Sequence, residues 1–154
     1  MAGTIMNPLA AVQNLLLYPH VVIDAESLSS VPDAKGAYAL ILCLATDLDW
    51  QRIHSQHCFG AGYYIYAGSA NGPGGLRARL RRHFRREKQA HWHVDELTMA
   101  AAHIMAVAVP GGTECDIVAR LQAAPYFSHA LAGFGSSDCT TCCSHLLEYR
   151  RNST

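Results

Sequence analysis

The run GAYALILCLA from Gly36 constrains this chain more than any other segment. It is continuously apolar, rich in Leu, Ile and Tyr, and short, so it reads as a buried strand rather than a helix. A second run, GYYIYAGSA from Gly62, carries the aromatic and β-branched residues that strands favour. The connection between the two, residues 46–60, begins with polar residues and ends in glycine. Sequential strands of this kind are expected to pair antiparallel.

After the breaker cluster NGPGG, the segment LRARLRRHFRREK repeats Leu76, Leu80 and Phe84 every fourth residue, one apolar stripe of a helix that starts just after Gly75. HWHVDELTMAAAH suggests a short loop followed by a second helix, and IMAVAVP from Ile104 a third strand. TECDIVARLQA opens with a capping Thr113 and acidic residues in its first turn, the chemistry of a helix start. Two strands precede the first helix and no strict βαβ alternation follows, which implies an α+β fold with a mostly antiparallel sheet of about three strands flanked by helices. A chain of 154 residues supports one such domain. Residues 1–35 read as an N-terminal extension packed on a domain at 36–149, with 150–154 a polar tail.

Charge placement is the strongest functional signal. Lys+Arg number 12 against 12 Asp+Glu, so the chain as a whole is neutral, yet seven of the basic residues lie between Arg77 and Lys88 (Arg77, Arg79, Arg81, Arg82, Arg85, Arg86 and Lys88). Helical spacing puts Arg79, Arg82 and Arg86 on one side with His83, and Arg77, Arg81 and Arg85 on another. The planar fork of arginine suits phosphate oxygens, which points to nucleic acid as the partner. The alternative is a solvated helix face tied to neighbouring acids.

The order GAY at 36–38, YAG at 66–68 at the end of a strand, and a glycine-rich turn into LRARLRRHF resembles the GIY-YIG nuclease superfamily. With HWHVDEL, the EC pair at 114–115 and FGSSDCTTCCSHL, the chain looks like one uncharacterised branch of GIY-YIG-like proteins, over roughly Gly36 to Tyr149. The resemblance implies a nuclease that hydrolyses phosphodiester bonds, DNA before RNA, with Mg2+ or Mn2+. It implies that Tyr66 helps take the proton from the attacking water, Tyr38 positions that water, Arg79 binds the scissile phosphate, His83 assists proton transfer, and Glu114 holds the metal. Asp95 and Glu96 are rivals for that last role. Ala37 and Ala67 replace the middle isoleucines of the motifs, the connection from Tyr38 to Tyr66 is longer than the usual hairpin, and Ser69 stands where many nucleases have a phosphate-binding lysine. A phenol with an ordinary pKa near 10 is a poor base at neutral pH, so the chemistry needs cations beside the tyrosines. Two other classes stay open: a non-catalytic nucleic-acid-binding module, and a zinc- or thiol-dependent protein built on the C-terminal cysteines.

HWH at 91–93 puts His91 and His93 on one side if extended, where they are candidates for metal or nucleic-acid contact, while Trp92 anchors the core. Cys139, Cys142, Cys143 and His145 form a cysteine-rich cluster. A C-x-x-C pair is half of a zinc site, whose other half would have to come from Cys115 or the HWH segment, and packed loop thiols are the favoured expectation over zinc. No stretch approaches the roughly 20 apolar residues of a membrane-spanning helix, and no export signal is visible, so the expectation is a cytoplasmic protein with reduced thiols and no membrane partner.

Overall fold

The computed structural model describes residues 7–52, 55–135 and 142–150. Its centre is the strand read first from the sequence, β2 (Gly36–Leu44), because that strand is buried along nearly its whole length. It is hydrogen-bonded on one side to β5 (Gly62–Ser69) and on the other to β6 (His103–Pro110), both antiparallel. Three short strands complete a six-stranded sheet: β1 (Val21–Ile23) beyond β6, then β8 (Leu146–Tyr149) and β7 (Phe127–His129) beyond β5. The α+β class therefore holds, with a sheet twice the expected width. The additional strands are three or four residues long, too short for periodicity to separate them from loops.

Side chains of β2 alternate between two cores. Tyr38, Leu40, Leu42 and Leu44 face the layer containing α2 (Gly75–Phe84) and α3 (Asp95–Ala100). Ala37, Ala39 and Ile41 face α1 (Pro8–Leu16) and α4 (Glu114–Gln122). Because both faces are covered, β2 lacks the polar alternation of a half-exposed strand. The substituted motif positions Ala37 and Ala67 both lie in the second core.

The long connection between the motif strands folds into its own hairpin, β3 (Leu48–Arg52) paired with β4 (Ser55–Phe59). Trp50 and Phe59 from this hairpin enter the first core. The stretch before β2 is likewise more than a packed extension, since β1 forms an edge of the sheet and α1 fills the second core. At the start of α1, Asn7 accepts a hydrogen bond from the Ala10 N–H at 2.7 Å and Pro8 occupies the first turn. Among the described residues, no helix is long and apolar enough to cross a membrane.

The β2–β5 register sets up the site. Tyr38 pairs with Gly68 and Leu40 with Tyr66, so the two tyrosines stand diagonally on the same face. A Cβ at Gly68 would overlap the Tyr38 ring and hydroxyl, so the glycine after the second tyrosine makes room for the first. Replacing Gly68 with Ala should cost about 1–3 kcal/mol through forced displacement of Tyr38. Thermal denaturation checks this, and an unchanged Tm would contradict it.

Candidate functional site

Tyr38 and Tyr66 meet α2 at its buried face. The residues of that helix sealed from solvent are Gly75, Leu76, Leu80 and His83, so His83 takes the position the apolar stripe assigned to Phe84, which is half-buried. The reason is a polar partner: the Tyr38 hydroxyl and His83 Nε2 are 2.7 Å apart. His83 Nδ1 is buried without a hydrogen-bond partner among the described residues. Burial, and then the positive charge of Lys88, push the His83 pKa down to about 3, against the opposing pull of Asp95. The imidazole is neutral at physiological pH. Burial first, and then Tyr66, push the Tyr38 phenol well above its ordinary value. Tyr66 is raised to about 12 by burial, with Arg79 opposing the rise.

Arg79 is held by stacking. Its guanidinium lies over the Trp92 ring, 4.4 Å from the centroid, and Arg82, one turn along α2, lies 4.6 Å from the same centroid. Trp92 is fixed in turn by Asp95, which is fully buried at the first turn of α3. Asp95 Oδ2 accepts from the His91 and Trp92 N–H groups at 2.7 and 2.8 Å and from Arg82 at 2.6 Å. Burial alone would raise the Asp95 carboxyl, but those N–H groups, with Arg82 and Lys88, outweigh it and hold the pKa below its ordinary value.

A cleft of ≈ 390 Å³ is lined by Tyr38, Tyr66, Arg79, His91, Trp92, His93, Glu114 and His145, among others. Glu114 is the first residue of α4, whose start is capped as expected by Thr113 accepting from the Asp116 N–H at 3.3 Å. The cleft thus gathers both tyrosines, the helix arginine and the glutamate, with His83 directly behind Tyr38. Glu114 has no hydrogen bond or ion pair among the described residues, whereas its rivals are engaged: Asp95 as above, and Glu96 with Arg52 at 3.0 Å.

The basic cluster divides into two groups. Arg77 donates to the Val31 carbonyl at 2.9 Å. Arg82 is paired with Asp95, and Arg86 caps the end of α3 through the Thr98 and Ala101 carbonyls. Lys88 donates to the Arg82 and His83 carbonyls at 3.0 and 3.2 Å, closing the end of α2. Arg79, Arg81 and Arg85 make no hydrogen bond or ion pair among the described residues, and Arg81 and Arg85 are exposed.

His91 and His93 both line the cleft, although their segment is a turn rather than an extended strand. Sequence reasoning treated Asp95 only as a metal-ligand rival and missed its anchoring role, for which an aspartate opening a helix just after HWH is the available signal. Of the two partners the sequence offered for the C-terminal cysteine cluster, Cys115 and the HWH segment, it is Cys115 that meets Cys142 and His145, their ligating atoms all within 4.8 Å of one another. Cys139 lies outside the described residues, and Cys143 is exposed.

These shifts give the fold a defined response to acid. His83 titrates at about 3 in the folded chain against an ordinary 6.5, so the unfolded chain takes up the proton first. Stability is full above pH 6.5 and is lost as pH falls toward 3, by up to about 1.4 kcal/mol per pH unit for one such group. His93, also lowered chiefly by burial, acts in the same direction. Chemical denaturation at pH 7 and pH 5 should show a clear loss in the wild type and a smaller one in His83→Gln. Equal stability at the two pH values would contradict the buried neutral imidazole.

Comparison with curated proteins and with solved structures gives no match. Residues 37–154, from the first motif strand onward and so including the tyrosines, the helix arginine and the glutamate, match a family described as a domain of unknown function, DUF123. The chain belongs to this GIY-YIG-like family.

Proposed function

We propose that this protein is a metal-dependent nuclease that hydrolyses phosphodiester bonds in nucleic acid at the cleft between α2 and the motif strands. One observation carries the reading: Tyr38, Tyr66, Arg79 and Glu114 line a single cleft, and neither its cation nor its carboxylate makes a hydrogen bond or ion pair among the described residues. Unpaired opposite charges at one site suit a ligand that brings both an anion and a cation.

A half-buried carboxylate is a hard oxygen donor, and one carboxylate with waters suffices for Mg2+ or Mn2+, so Glu114 fits the role of ligand. A divalent ion held there supplies Lewis-acid stabilisation to charge developing on the phosphoryl group. Arg79, oriented by the Trp92 face, offers its planar fork to the phosphate oxygens. With His83 neutral, the Tyr38 hydroxyl can donate to Nε2 while its oxygen accepts a hydrogen bond from the attacking water. A phenol at about 12, as Tyr66 is, is ionised in roughly one molecule in 10⁵ at pH 7. The guanidinium of Arg79 lowers that cost by favouring the phenolate, as would a divalent ion at Glu114, whereas an imidazole at about 3 is too weak a base to take the proton instead. We therefore assign acceptance of the water's proton to Tyr66 and orientation of the water to Tyr38, which His83 Nε2 holds in place, the two tyrosine roles that the family resemblance implies.

Binding of the nucleic-acid backbone falls to Arg79, Arg81 and Arg85, with His91 and His93 at the rim. Arg77, Arg82, Arg86 and Lys88 support the shape of the site from within. The second reading, a binding module without catalysis, is favoured by Ser69 in place of the usual lysine, which leaves one phosphate contact fewer.

Incubation with single-stranded, duplex and branched substrates in Mg2+ or Mn2+ tests the proposal. Cleavage is expected, with Arg79→Ala slower by on the order of 10²-fold and Glu114→Gln losing metal-dependent cleavage while retaining binding. Salt-sensitive binding with no cleavage of any substrate would overturn catalysis in favour of the binding module.

A further inference from the structure

We propose that Cys115, Cys142 and His145 form a zinc site, separate from the carboxylate at Glu114. Cys115 is the second residue of α4, while Cys142 and His145 precede β8, so the group joins two elements about thirty residues apart. Cys115 Sγ lies 4.0 Å from His145 Nε2, and all three ligating atoms fall within 4.8 Å of one another. Tetrahedral zinc with sulfur and imidazole ligands holds such atoms about 3.5–3.8 Å apart, so a contraction of at most about 1 Å seats the ion. The sequence expectation of packed thiols rested on the short spacing of Cys142 and its neighbours. Of the two sources the sequence allowed for the distant half, the structure brings Cys115.

Donor chemistry selects the metal. Two thiols and an imidazole are soft to borderline ligands that suit zinc and discriminate against magnesium or manganese, which prefer oxygen. Binding releases the two thiol protons to solvent and forms two Zn–S bonds and one Zn–N bond, with no change of oxidation state. The imidazole is already positioned by its backbone: the His145 N–H donates to the Phe134 carbonyl and its own carbonyl accepts from Ala67, both at 2.9 Å. His145 is 5% exposed, yet contributes to the wall of the cleft. Three protein ligands leave a fourth position for water or another group. Zinc here ties the first turn of α4, which carries Glu114, to the strand edge beside Tyr66. The site does not depend on the nuclease reading and stands or falls separately.

Elemental analysis of the full chain, purified under reducing conditions without chelator, is expected to give about one zinc per chain, and below about a tenth in Cys115→Ser and in His145→Ala. Cys143→Ser serves as the control and should keep its zinc. Since Cys115→Ser could disturb α4, wild-type protein stripped of metal and titrated with Co2+ provides a second test. Tetrahedral visible bands with thiolate-to-cobalt charge transfer are expected at one equivalent. No zinc together with a thiolate-free cobalt spectrum, zinc retained by the Cys115→Ser, His145→Ala double variant, or a Cys115–Cys142 disulfide in the reduced preparation would each overturn the proposal.

Discussion

The site depends on one buried carboxylate. Asp95 has no exposure to solvent and gathers the ends of three segments: the C-terminal end of α2 and the segment after it through Arg82 and Lys88, the 91–93 turn through two N–H groups, and the start of α3, which it opens. An ionised group in such surroundings is tolerated only when partners compensate for lost hydration, and removing one partner of a buried pair typically costs about 3–5 kcal/mol. Its effect on function runs through Trp92. Held by Asp95 at its own N–H, that ring carries Arg79 on its face and stands 5.7 Å from His83. Thus a residue that does not line the cleft sets the position of the cation that does.

This arrangement explains why a neutral protein concentrates arginine on one short helix and the segment after it, since α2 ends at Phe84 and Arg85, Arg86 and Lys88 lie beyond it rather than, as expected, on the helix. Arg82, Arg86 and Lys88 close the gaps between α2, the turn and α3, leaving Arg79, Arg81 and Arg85 free of such duties among the described residues. A cluster that looks like a continuous contact surface is thus partly a scaffold. The same surroundings tune the acid–base groups. The buried carboxylate stays ionised, and burial with the nearby cations keeps His83 neutral.

The parts of the fold legible in the sequence were those with long apolar runs or capped helices. β2, β5 and β6 are each eight or nine residues, and their composition separated them from loops. β1, β7 and β8 are three or four residues each and owe their conformation to pairing, β1 with β6, β8 with β5 and β7 with β8, a tertiary effect that no local pattern carries. The hairpin at 48–59 was hidden by its polar alternation. In the site, Tyr38, Tyr66, Arg79 and Glu114 could be named from the family resemblance that the motifs carry, and they do line one cleft. The roles of Asp95 and Trp92, the burial of His83 in place of Phe84, and the meeting of Cys115 with His145 depend on distances between segments, which spacing along the chain does not encode.

The central claim is that this cleft receives a phosphodiester at Arg79 and a divalent ion at Glu114. Anomalous diffraction from crystals of the protein with Mn2+ and a short oligonucleotide tests it directly. The account predicts a manganese peak within ligation distance of the Glu114 carboxylate, about 2.0–2.3 Å for a hard divalent ion, with a backbone phosphate against the Arg79 guanidinium. Manganese bound elsewhere, or an oligonucleotide whose phosphates bypass Arg79, would contradict it.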